Sequence, residues 1–185
     1  MNAACQQGEF MSARSAIRRT ARCLCAVTLG AAATLAAVPQ ASAASEAVPP
    51  GRYRIVTYSD LCWDDRGAQL TQETCEEENA DQVFELMPSY DRVEQRVRTA
   101  EGECLEADGF YVHDAIRGQR CDWDSYDQLF RFVSLGDGMY QIKPDAHAGK
   151  CAEVEYPTTQ ALVTSSPCRD ADLAENQRFK LVRMN

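Results

Sequence analysis

The phrase Gln-x-Phe closes three segments of this chain, each time shortly after a pair of cysteines: Asp81-Gln82-Val83-Phe84, Asp127-Gln128-Leu129-Phe130 and Asn176-Gln177-Arg178-Phe179. Gln128 follows Gln82 by 46 residues and Gln177 follows Gln128 by 49, while the cysteine that opens each unit recurs at Cys62, Cys104 and Cys151. A period in the forties, repeated three times, is the mark of a repeat architecture. One unit cannot bury its apolar face alone, and its neighbours complete the core.

Within a unit the apolar pattern is that of short strands. Gly51-Arg52-Tyr53-Arg54-Ile55 and Gly138-Met139-Tyr140-Gln141-Ile142 share G-x-Y-x-I, which places Tyr and Ile on one face of an extended segment. The middle unit has the weaker Val93 to Arg98 at that place. A turn then leads to the first cysteine. A second turn, Asp65-Arg66-Gly67 or Pro157-Thr158-Thr159, leads to a strand ending at the second cysteine, and Gln-x-Phe opens the last strand. Four strands per unit predict about twelve in an all-β chain. Propeller blades have a similar length, but a propeller needs at least about four of them. Three units close a three-fold barrel instead, with Phe84, Phe130 and Phe179 as equivalent apolar plugs and Tyr53, Tyr140, Ile55 and Ile142 beside them.

The first residues read as a targeting segment. Arg14, Arg18, Arg19 and Arg22 form a basic region, Leu24 to Val38 is an uncharged apolar run, and Ala41-Ser42-Ala43 is an A-x-A cleavage site. The expected layout is a signal peptide over 1–43, a short linker over 44–50 and a single domain over 51–185, with repeats at about 51–88, 89–135 and 136–185. Secretion is the expected fate, and no later run is long enough for a membrane span. Loss of the leader's four Arg and one Glu takes the net charge from −9 to −12. Such a chain repels phosphate backbones and carries no basic stripe, which argues against nucleic acid.

Six cysteines remain after the leader. Periodicity selects one pairing of the fifteen, because a bridge made inside one unit should be made in the others. The expected bridges are Cys62 to Cys75, Cys104 to Cys121 and Cys151 to Cys168, one per repeat. Zinc is the competing use, but the mature chain has no C-x-x-C, and His113 and His147 are not at ligand spacing. No metal or other cofactor is expected.

These residues resemble the ricin B-type lectin, or Q-x-W, β-trefoil family. That unit runs C-x-D, a strand, a second cysteine and N-Q-x-W. Here the openings are Cys62-Trp63-Asp64, Cys104-Leu105-Glu106 and Cys151-Ala152-Glu153, and Phe stands in place of Trp each time. The resemblance implies a β-trefoil and a sugar site made from the acid two places after the first cysteine, the Asn of the closing phrase and an aromatic two places before the second cysteine. Unit one supplies Asp64, Asp81 and Glu73; unit two Glu106, Asp127 and Gln119; unit three Glu153, Asn176 and Ser166. No unit is complete. Tyr156 and Phe110-Tyr111 are substitute platforms. Unit three, with Glu153, Tyr156, Asn176 and Gln177, is the first candidate site, and unit one, with Asp64, Gln82 and Trp63, the second. The recurrence of Gln177 and its equivalents also suits a structural hydrogen-bonding role.

Nothing supports catalysis: there is no G-x-S-x-G, and the histidines have no evident nucleophile partner. The expected function is a secreted, non-catalytic carbohydrate-binding module for a galactose-like sugar or polysaccharide. The alternative is a protein-binding or inhibitor module, using the acidic loop Glu76 to Asn79 or Asp122-Trp123-Asp124, where Trp123 is a natural anchor.

Overall fold

The computed structural model describes residues 48–66, 68–90, 93–109, 111–170 and 174–185. The expected signal peptide, the first part of the linker, Gly67 and Phe110 lie outside them. Twelve strands follow one another: β1 (Gly51–Val56), β2 (Leu61–Asp64), β3 (Thr71–Thr74), β4 (Phe84–Pro88), β5 (Gln95–Arg98), β6 (Cys104–Ala107), β7 (Asp114–Gln119), β8 (Phe130–Gly136), β9 (Met139–Pro144), β10 (Lys150–Val154), β11 (Val163–Pro167) and β12 (Phe179–Arg183). Single 3₁₀ turns, Ala80–Gln82 and Glu175–Gln177, precede β4 and β12. The strand reading holds in all three units, including the weaker middle one at β5.

Antiparallel pairing runs β1 to β4, β4 to β5, β5 to β8, β8 to β9, β9 to β12 and β12 back to β1. Those six strands therefore form a closed ring, which leaves the barrel without a free edge. The hairpins β2–β3, β6–β7 and β10–β11 lie outside the ring. They meet each other through β7 and β11, through the bridge Thr71 to Leu162, and through the bonds Leu70 N–H to Ile116 O and Val163 N–H to Leu70 O, both 2.9 Å. Leu70, Ile116 and Val163 each stand five residues before the second cysteine of their unit, and all three are fully buried. Barrel, three hairpins and threefold repetition make this a β-trefoil.

The core follows the same symmetry. Phe84, Phe130 and Phe179 are fully buried, as are Ile55 and Ile142, with Tyr53 buried and Tyr140 packed at the margin. The position after the first cysteine holds Trp63, Leu105 and Ala152, all buried. Trp63 meets Phe84 edge-on at 6.2 Å between centroids, and Phe179 of the third unit at 5.1 Å. It is a core residue that ties unit one to unit three, which removes it as a sugar platform. The three expected disulfides are formed, closing separations of 13, 17 and 17 residues. On the chain-entropy account, loops of this size contribute roughly 3 kcal/mol each.

One position breaks the apolar symmetry. Three places after the first cysteine, units two and three bury Ala107 and Val154, but unit one buries Asp65. The backbone there is nonetheless equivalent: Asp65 N–H donates to Asp81 O at 3.1 Å, as Ala107 N–H does to Asp127 O at 3.0 Å.

Candidate functional site

The recurring glutamine makes the same three bonds in every unit. Its side-chain N–H donates to the acid two places after the first cysteine: Gln82 to Asp64 (3.1 Å), Gln128 to Glu106 (3.0 Å) and Gln177 to Glu153 (2.6 Å). The same group donates to the carbonyl just before the second cysteine, that of Thr74, Arg120 or Pro167, at 2.9 Å in each unit. Its oxygen accepts from the N–H just after that cysteine, in Glu76 (2.9 Å), Asp122 (2.8 Å) or Arg169 (2.9 Å). The glutamine thus laces the disulfide-bearing strand to the closing phrase and aims one carboxylate per unit. A buried amide can fill these three roles only with its bonds satisfied, which is why Gln recurs.

What the carboxylate faces differs among the units. In unit one Asp64 is 1% exposed. Besides Gln82 it accepts from Asn79 Nδ2 (3.0 Å) and Arg66 N–H (2.9 Å), and the Arg66 guanidinium stands 3.8 Å away. In unit three Glu153 is 4% exposed. Its Oε2 accepts from Arg169 Nη2 at 2.6 Å, and the same guanidinium donates to Asn176 Oδ1 at 2.8 Å. His113 of the second unit approaches Glu153 Oε1 at 4.0 Å while contacting Ser166 Oγ at 3.0 Å. Glu153, Asn176 and Gln177 are therefore brought together, but an arginine bridges the first two where a sugar hydroxyl would have to enter. Tyr156 stands three places after Glu153. It is exposed, its hydroxyl is hydrogen-bonded to Glu155, which raises its pKa, and its loop is held by Gln72 of unit one, whose amide donates to the carbonyls of Tyr156 (2.8 Å) and Thr158 (2.7 Å).

Unit two is open. Glu106 is only half-buried and, among the described residues, is paired with no cation. It lines a cleft of about 540 Å³ with Gln119, Arg120, Asp122, Trp123, Asp124, Ser125 and Gln128. The place held by Arg169 in unit three belongs here to Asp122, whose side chain accepts from Asp124 N–H at 3.0 Å and tightens the loop. Trp123 is 66% exposed and forms the outer wall. Its loop is pinned from below by Arg96, a buried β5 residue that donates to Trp123 O (2.5 Å) and Ser125 O (3.2 Å) and lies 5.2 Å from the indole centroid. Burial lowers the pKa of Arg96, with the nearby Asp122 and Asp124 opposing that shift.

Trp123 stands two places after the second cysteine of its unit, where units one and three have Glu77 and Asp170. The residue following the second cysteine is Glu76, Asp122 or Arg169, and only in unit three does it pair with the carboxylate of its own unit.

No protein-family model matches the chain, and no curated protein matches it. Solved structures do resemble it. The designed threefold-symmetric protein ThreeFoil superposes with a TM-score of 0.65 at 22% identity, over 72% of this chain and 99% of that one. An exo-β-1,3-galactanase from Clostridium thermocellum gives 0.61 at 24% identity over 72% of this chain. The Polyporus squamosus lectin, bound to a sialylated trisaccharide epitope, gives 0.60 at 15% identity over 74% of this chain. The chain spans 30% of the galactanase and 50% of the lectin. At these identities the likeness establishes a lectin-like β-trefoil fold.

Proposed function

We propose that this protein is a secreted, non-catalytic carbohydrate-binding module of the ricin B-type kind, and that its working sugar site is the cleft of unit two. One observation carries this reading. Glu106 is aimed by Gln128 into an open cleft walled by an exposed indole, whereas its counterparts Asp64 and Glu153 face an arginine. A sugar presents hydroxyls that seek paired acceptors and an apolar face that seeks an aromatic plane. Glu106, Gln119 and Asp124 supply the first and Trp123 the second. The occurrence of the fold in a lectin carrying a bound glycan and in a galactanase supports the ligand class. Three formed disulfides support an oxidising, exported setting.

A glycan array and pull-downs on insoluble polysaccharides test it. The native protein should be retained, Trp123→Ala and Glu106→Gln should be lost, and Asn176→Ala should behave as native. Loss confined to Asn176→Ala would move the site to unit three. The exposure of Trp123 among carboxylates is the observation in favour of a protein partner, and a salt-sensitive protein captured through Trp123 with no sugar retained would establish that alternative.

A further inference from the structure

A second cleft of about 520 Å³ adjoins the first. The two share Trp123, Asp124 and Ser125, so the clefts meet along this segment. Both volumes fall within the roughly 300–1,000 Å³ usual for small-molecule sites. The second cleft is lined by Tyr90, Trp123 and Tyr126, which are three of the five large aromatic side chains exposed among the described residues. Convergence of most of the exposed aromatics on one concavity distinguishes this face from the rest of the surface.

Its polar part is equally organised. Glu94 is buried and ion-paired with Arg131, and Arg131 reaches Asp145 at 3.4 Å. All three line the cleft, so hydroxyls entering it would meet carboxylate acceptors and guanidinium donors already held in place. Beneath them Arg96 fixes the Trp123 loop through two carbonyls, and Leu129 N–H donates to Tyr126 O at 3.0 Å, closing the turn that presents the tyrosine. Platforms fixed before the ligand arrives lose little conformational freedom on binding.

We propose that this second cleft holds the following residues of a neutral oligosaccharide whose first residue occupies the unit-two cleft, so that the protein reads a length of glycan chain across Trp123. The proposal rests on the sugar-binding reading above. Neutrality is argued from the balance of charge: five carboxylates (Glu94, Glu106, Asp122, Asp124 and Asp145) against three guanidiniums (Arg96, Arg120 and Arg131) line the two clefts, on a chain of net charge −9, which disfavours an anionic polysaccharide. A chain rather than a single sugar follows from continuity, since the clefts meet along Trp123, Asp124 and Ser125, and Tyr90 and Tyr126 line the second cleft and not the first.

The test is isothermal titration of the native protein with neutral β-linked gluco- and galacto-oligosaccharides of increasing length, from monosaccharide upward. Affinity should climb with length and then level off, each occupied platform contributing roughly three- to tenfold. Tyr126→Ala and Tyr90→Ala should flatten the climb, with circular dichroism reporting that both exposed-site variants are folded. A flat length series with measurable monosaccharide binding overturns the extension and leaves the unit-two site standing. Absence of binding at every length overturns both, as does a protein partner that requires Tyr90 and Tyr126 while no saccharide binds.

Discussion

Units two and three begin from the same plan and end in opposite states. In each, a glutamine holds a glutamate beside the disulfide, yet in unit three the glutamate is bolted to Arg169, which also bonds Asn176, while in unit two it borders an open cleft. The repeat therefore specifies a socket, and an arginine stands over it in two units, Arg169 from just after the second cysteine in unit three and Arg66 from the turn after β2 in unit one. On the proposed reading, what separates an open unit from a closed one is one or two charges placed on a constant frame, in keeping with function residing in sites grafted onto folds.

The largest effect expected from this contrast is on stability. Glu153→Ala strips a buried acceptor from Gln177 and the counter-charge from Arg169, and should cost about 2–3 kcal/mol in urea unfolding. Glu106→Ala removes a single bond at a half-buried place and should cost about 1 kcal/mol. Equal losses would mean that the arginine bolt contributes nothing.

Unit one supplies the next comparison, because it alone buries a carboxylate where its neighbours bury Ala107 and Val154. Burial pushes the pKa of Asp65 up to about 6, with Glu103, Glu101 and Asp81 adding to the rise and the Thr99 hydroxyl offsetting part of it. Its Oδ1 has no hydrogen bond of ordinary geometry. A folded pKa above the ordinary 3.8 means that the fold favours the protonated acid. The penalty is absent below about pH 4, grows between about pH 4 and 6, and is complete above that. Asp65→Asn should therefore stabilise the protein at pH 7 by on the order of 2 kcal/mol more than at pH 4. A gain independent of pH would place the effect elsewhere.

Asp122→Arg transfers the bolt of unit three to unit two and should lower sugar affinity at least about tenfold, or 1.4 kcal/mol, by titration. The reverse change, Arg169→Ala, should unmask Glu153 and Asn176 and raise the stoichiometry of binding. Unchanged affinity in the first variant would separate Asp122 from the site. Tyr156→Ala gives the smallest expected effect, within about 0.5 kcal/mol on stability and none on sugar retention. A loss of retention would return unit three to the leading place.

The fold was legible because symmetry repeats its evidence. Three cysteine pairs and three Gln-x-Phe phrases are separate witnesses to one unit, and the buried Phe84, Phe130 and Phe179, the three bridges and the twelve strands all follow from them. The structural role of Gln177 and its equivalents was legible for the same reason. The site was less so. Placing unit three first rested on residue types, Glu153 with Asn176, and the guanidinium that bridges them comes from Arg169 in the loop after β11, 16 residues from Glu153 in sequence. Trp123 stood out as an anchor, but its place in the wall of the unit-two cleft was not legible, because it lies on the far side of the cysteine from the expected platform. The clasp by which Gln72 holds the Tyr156 loop spans 84 residues and leaves no periodic trace.

The pairing of β1 with β12, which sets Tyr53 opposite Arg183, brings the two ends of the barrel's chain side by side. A short linker across that seam, with the chain reopened at the Gly136-Asp137-Gly138 turn between the second and third units, would yield a circular permutant with every strand pairing and every disulfide retained. In such a rearrangement the new termini would open at the end of the β8–β9 hairpin away from Arg131 and Asp145, so that a fused catalytic or reporter domain would emerge clear of the second cleft.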